Sequence, residues 1–212
     1  MKRGTLFLIV VGIMVWTGVV SCSKPNRVQI LAYQKAILNT RADKDRFFAT
    51  YPDSPLLPVQ RMNFKGLRYY RPDIDYKVTA VFTPAKTAGS FQIQTSSGRP
   101  RVYVVLGQLN FSLKGHKLTL TAYQEKDLLA KHPDDLFVPF TDLTSDKTTY
   151  GGGRYLDVKS KGSGSRQVTL DFNMAFNPYC AYNHNYSCPI PPPVNHLPVA
   201  VKAGEKKFIA IK

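Results

Sequence analysis

Glutamate is almost missing from this chain: Glu125 and Glu205 are the only two among 212 residues. General acid/base hydrolysis usually needs a pair of carboxylates, or one beside a histidine, and neither glutamate stands in such a pattern. Glu205, within Ala203-Gly204-Glu205-Lys206-Lys207, reads as an exposed corner before a final strand. Long basic runs are missing too, none exceeding a pair such as Lys206-Lys207, so no dedicated nucleic-acid motif is visible. No apolar stretch after Cys22 has the roughly 20 residues that a membrane-spanning helix needs. There is no internal repeat, and the one short low-complexity piece, Gly162-Ser163-Gly164-Ser165, reads as a flexible turn.

What is present begins with an address. Lys2 and Arg3 precede an apolar run from Leu6 to Val20, and Val19-Val20-Ser21-Cys22 places a small residue just before a thiol. That is the pattern of a bacterial lipoprotein signal: residues 1–21 are expected to be removed, Cys22 acylated, and residues 22–26 left as a short tether. Two or more acyl chains on one cysteine suffice for stable anchoring in a bilayer. The body, residues 27–212, is then expected to face the periplasm or the exterior of the cell envelope as one domain. The processed chain, residues 22–212, carries 27 basic against 14 acidic residues, a net charge of +13. Outside the cytoplasm, anionic headgroups or acidic envelope polymers are the expected counter-surface, with no nucleic acid.

Apolar positions Val28, Leu31, Ala32, Ile37, Leu38, Ala42 and Phe47 approximate helical spacing, which predicts an amphipathic helix between a cap at Asn26 and the stop at Tyr51-Pro52. From Tyr76 the period becomes two. Strands are predicted at 77–82, 90–94, 101–106, 108–113, 117–123, 136–140, 154–158, 167–172, 199–202 and 207–211, with a hairpin at Gly115-His116. The expected fold is mainly β, a single β-sandwich or β-barrel-like domain with an N-terminal helix.

Chemistry-bearing side chains gather late in the chain. Gly151-Gly152-Gly153-Arg154-Tyr155 joins backbone freedom to a planar cation suited to carboxylate or phosphate, although it lacks the spacing of a phosphate loop. Asp171 and Asn173 share a strand face, and Asp171 is a possible partner for Arg154. Asn177, Asn183 and Asn195 stand in a stretch dense in amides and phenols. Together these seven residues are expected to bind a small polar or anionic ligand. A competing explanation is that an irregular loop needs such groups to satisfy its own backbone. Cys180 and Cys188 are expected to form a disulfide in an oxidising compartment. A zinc site of Cys180, His184, Cys188 and His196 is the alternative, its spacing unlike common zinc modules, and a hydrolase using Cys180 as nucleophile is another. A structural envelope lipoprotein without a ligand also fits.

Several ordered motifs resemble one family. They are Ser54-Pro55-Leu56, Phe64-Lys65-Gly66-Leu67-Arg68-Tyr69-Tyr70, Pro139-Phe140-Thr141-Asp142, Thr149-Tyr150-Gly151-Gly152-Gly153-Arg154-Tyr155-Leu156-Asp157, Asp171-Phe172-Asn173, Asn177-Pro178-Tyr179-Cys180-Ala181-Tyr182-Asn183, Cys188-Pro189 and Ala203-Gly204-Glu205-Lys206. From about residue 30 onward the chain is similar to the domain of unknown function 1684 family, with a leader like that of its Bacteroidetes lipoprotein members. The resemblance implies no activity, the family being uncharacterised. In one place the chain departs from the expected pattern: Val194 stands before Asn195 where an acidic residue is expected.

Overall fold

A computed structural model describes residues 25–87, 89–160 and 166–209. The leader, Cys22, the Gly/Ser turn at 162–165 and the end of the last expected strand lie outside the described residues.

Helix α1 spans Arg27–Thr50, and α2 is one short turn, Pro58–Met62. Asn26 caps α1 by accepting from Gln29 N–H while the Gln29 side chain bonds back, so two otherwise orphaned donors are paired. Its buried residues are Ile37, Arg41 and Phe48, whereas Val28, Leu31 and Leu38 are exposed. Of the apolar positions read from the sequence, Ile37 is buried and Phe47 packs beside Phe48, while the others face outward. An arginine occupies the inner stripe.

The strands are β1 (Lys77–Pro84), β2 (Ser90–Ile93), β3 (Arg101–Leu113), β4 (His116–Glu125), β5 (Asp135–Asp142), β6 (Arg154–Lys159), β7 (Gln167–Asp171) and the two-residue β8 (His196–Leu197). They form one antiparallel sheet curled into a half-barrel, ordered β6-β5-β4-β3-β1-β7. β2 adds to the free length of β3, and β8 runs parallel to β5. No second sheet stacks on it among the described residues. The concave face is instead filled by Phe172, Ala175, Leu197, Val201 and Ala203 from the C-terminal quarter, packed on Leu109, Leu120, Val138, Phe140 and Leu170. Beyond the end of β7, Phe176 exchanges two backbone hydrogen bonds with Tyr155 of β6 (2.9 and 3.1 Å), which draws the sheet's two margins together.

The two strands expected at 101–106 and 108–113 are one strand with a bulge between Val105 and Gly107. An extra residue there reverses which side chains face inward. Tyr103 and Val105 pack with Ile93, Tyr123 and Phe137 on one face, while Leu109, Phe111 and Leu113, of the same parity, enter the main core. A Cβ on Gly107 would lie 2.3 Å from the Thr83 carbonyl oxygen, so glycine is required for the close approach of β1. The hairpin that follows turns at Lys114-Gly115, both at positive φ (48° and 84°), one residue earlier than the sequence suggested.

Residues 199–202 and 207–209 are not strands. Their alternation is real, since Val201 and Ala203 are fully buried. The carbonyls of Val201, Ala203 and Glu205 are held by one side chain, as the next section describes, while Val199 and Lys207 bond to the backbone of Leu143 and Thr148.

Candidate functional site

Arg154, at the start of β6, is 1% exposed. Its guanidinium donates to the carbonyls of Val201 (3.0 Å), Ala203 and Glu205 (3.3 Å) and pairs with Asp142 at 2.8 Å. Asp142 accepts in turn from Val201 N–H at 3.2 Å. This ion pair satisfies carbonyls along 201–205 that a ladder would otherwise take, alongside an isolated antiparallel bridge between Glu205 and Tyr69. Asp171 is not its partner.

The expected ligand-binding asparagines are engaged in the same manner. Asn195 accepts from Thr121 N–H (2.8 Å) and donates to the Thr121 and Pro139 carbonyls (2.9 and 2.7 Å). It fills the gap between β4 and β5, which pair only at Tyr123 and Phe137. Asn173 binds both backbone groups of Asp73 (2.9 and 2.8 Å) and donates to Tyr33. Asp171 accepts from the Tyr33 hydroxyl at 2.8 Å, joining α1 to the end of β7. Asn183 closes a local turn onto Asn185 N–H. The Tyr155 hydroxyl donates to the Pro189 carbonyl.

Glu205 is fully buried rather than exposed. Its carboxylate accepts from Asn177 Nδ2 (2.9 Å), from the Tyr182 hydroxyl and from Lys44 of α1 (2.8 Å). Burial and the adjacent carboxylate push the Tyr182 hydroxyl well above its ordinary pKa, so it remains a donor. The sequence reading missed Tyr33, Arg41, Lys44 and Asp142. A signal for two of them existed: Ile37, Arg41, Lys44 and Phe48 fall every three or four residues, which puts two cations on an otherwise apolar stripe.

Arg41 differs from Arg154 because no carboxylate lies within ion-pair distance of it among the described residues. It is 8% exposed, donates to the carbonyls of Tyr70 (2.7 Å) and Asn173 (3.1 Å), and stacks on the Tyr69 ring at 4.5 Å. Its Nε and the Tyr69 hydroxyl are both buried without a partner. Burial lowers the Arg41 pKa from its ordinary value and raises that of Tyr69. Arg41 lines a cleft of about 530 Å³ between α1 and the 69–72 segment, with Gln34, Leu38, Asp45, Tyr70 and Arg71. Asp45 accepts from Leu67 N–H at 3.0 Å, and burial raises its pKa.

Residues 62–206 match the family described as Protein of unknown function (DUF1684). The chain belongs to this family. A protein of known structure, the uncharacterized protein from Haloarcula marismortui solved by solution NMR, is 39% identical. The likeness covers 83% of this chain and 95% of that one, with a TM-score of 0.65. No curated protein matches. Helix α1 precedes the DUF1684 match, yet Tyr33, Arg41 and Lys44 bond to Asp171, Asn173 and Glu205 within it. Val194 lines a second concavity, of about 470 Å³, walled by Phe91, Val105, Tyr123 and Pro192 and without a charged side chain.

The DUF1684 thiols lie side by side and are free in this structure. Cys180 N–H donates to Cys188 Sγ at 3.3 Å, and the Tyr150 hydroxyl lies 3.8 Å from Cys180 Sγ. Cys188, the principal donor to the Cys180 sulfur, lowers the Cys180 pKa to about 6 and has its own raised. The alternative zinc set is not assembled: His184 is exposed, and His196, on β8, bonds to Thr141 at 3.0 Å. Among the described residues no three His, Cys, Asp or Glu side chains are grouped to hold a metal. In reduced protein, alkylation of Cys180 by iodoacetamide is expected to rise through pH 6, and in Cys188→Ala to shift toward the ordinary midpoint of 9. An unmoved profile would remove the Cys188 hydrogen bond as the cause.

Proposed function

We propose that the protein is a lipoprotein of the bacterial cell envelope, tethered through acylated Cys22, that binds a small polar or anionic ligand in the cleft beside α1. The observation that carries the ligand reading is Arg41, a nine-tenths-buried cation on the cleft wall without a carboxylate partner. A buried charge left unpaired is costly, and an anionic group entering the cleft would offset that cost. Arg71 at the exposed wall supplies a second cation, and Asp45 an acceptor for a hydroxyl or ammonium on the same ligand. The leader pattern and the net charge of +13 after residue 21 support export and a partner of negative sign. In that compartment Cys180 and Cys188 close to a disulfide. The ligand reading moves from the seven residues around Arg154 to the cleft, because most of those side chains already hold the backbone.

Inorganic phosphate, acetate, glycerol phosphate and free amino acids, titrated in a thermal-unfolding assay, are the direct test. At least one is expected to raise the melting temperature. Arg71→Gln is expected to weaken that binding about tenfold, a charge-assisted hydrogen bond contributing roughly 1.5 kcal/mol, without lowering stability in its absence. If nothing in the panel binds, or Arg71→Gln leaves affinity unchanged, the reading as a structural envelope protein replaces this one.

A further inference from the structure

We propose that the outer side of α1 is a docking surface for anionic phospholipid, an inference that rests on the lipid tether at Cys22. Val28, Leu31, Lys35, Leu38 and Ala42 recur every three or four residues and so share one stripe of the helix. All five are exposed: Val28 by 75%, Leu31 by 55% and Leu38 by 53%. The buried stripe of Ile37, Arg41 and Phe48 lies on another side. Three large apolar side chains thus stand in line on the outside of a helix whose packed side contains an arginine.

Charge and chain length both indicate what covers this stripe. Arg27 lies at the start of α1 and Lys35 within the stripe, while Arg71 lines the cleft that Leu38 and Ala42 share with it. The nearby acids are otherwise engaged: Asp43 pairs with Arg46 at 2.6 Å, and Asp45 caps Leu67 N–H. Only three residues separate Cys22 from the cap at Asn26, and a fully extended chain covers at most about 3.6 Å per residue. With acyl chains on Cys22 in the bilayer, the start of α1 stands within roughly 18 Å of it. The 24 residues of α1 make a rod about 36 Å long. Laid flat, the rod sets its leucines at the acyl boundary and its basic residues among the phosphates, the arrangement of an interfacial helix.

Trp16 is the only tryptophan and falls in the leader, so Leu31→Trp and Leu38→Trp each give the processed protein a single fluorescent reporter. The acylated protein would be reconstituted in phosphatidylcholine vesicles with brominated chains, with and without phosphatidylglycerol. In the anionic vesicles both reporters are expected to shift to the blue and be quenched roughly twofold, as for residues at the acyl boundary. A reporter at exposed Val194, in the 193–195 turn against β4 and β5 and outside the α1 stripe, is expected to remain unquenched, and Lys35→Glu with Arg71→Glu to abolish the quenching. Unquenched reporters on protein that still floats with the vesicles would overturn the docking surface and leave the tether intact. Equal quenching without phosphatidylglycerol would overturn the anionic headgroup, and a concentration-dependent blue shift without vesicles would assign the stripe to a second copy. Protein that neither floats nor carries an acyl mass overturns the tether itself, and the docking surface with it.

Discussion

Asp142→Ala is expected to cost about 3–5 kcal/mol of folding free energy, the range for removing one partner of a buried ion pair. Asp142 and Arg154 are 2% and 1% exposed, and among the described residues no other carboxylate pairs with this guanidinium. Removing Asp142 leaves a cation facing three carbonyls and a phenyl ring, and leaves Val201 N–H and Thr144 N–H without their acceptor. Urea unfolding measures the effect. Arg154→Met with Asp142→Leu is expected to recover only part of the loss, since the methionine cannot replace the bonds to Val201, Ala203 and Glu205. A loss of less than about 1 kcal/mol in Asp142→Ala would mean that the 201–205 segment is held by its buried apolar side chains rather than by Arg154.

Glu205→Ala is expected to be comparably severe, at about 3–5 kcal/mol, and to act at a distance in the sequence. The carboxylate is the common acceptor of Lys44, Asn177 and Tyr182, and Tyr182 packs edge-on against Phe48 with ring centroids 4.9 Å apart. Losing Glu205 therefore removes the Lys44 fastening of α1 and leaves the Asn177 carboxamide, fully buried, with its bond to the Lys206 carbonyl. Amide hydrogen exchange checks this directly: α1 should lose protection before β3 and β4 do. Equal loss of protection in both regions would show that α1 and the sheet unfold as one unit, with no separate role for Glu205.

Where structure follows from neighbours in sequence, the sequence was a good guide. The Asn26 cap, the end of α1 before Pro52, and the alternation through β1, β4, β5 and β7 all arise from local chemistry. The bulge after Val105 was not legible, because it depends on how closely β1 approaches Gly107. The alternating residues at 199–202 look like a strand for a sound reason, having one buried face, but the Val201 carbonyl ends on Arg154 and its N–H on Asp142. No local pattern distinguishes a guanidinium from a ladder. The cleft was illegible for a similar reason: its walls are α1 and the 69–72 segment, about thirty residues apart, and each is ordinary alone.

The fastenings of α1 also constrain the order of assembly. Tyr33 bonds 138 residues ahead to Asp171, and Lys44 reaches 161 residues ahead to Glu205. A chain is made from its N-terminus, and contacts between distant residues form slowly. Throughout elongation the nascent helix would carry Lys44 on its inner stripe with no carboxylate to receive it until Glu205 is made. Truncation just before Glu205 should therefore leave a protein whose first helix keeps its Tyr33 and Arg41 contacts but lacks the Lys44 tie: the segment synthesised earliest is the last to be fully secured.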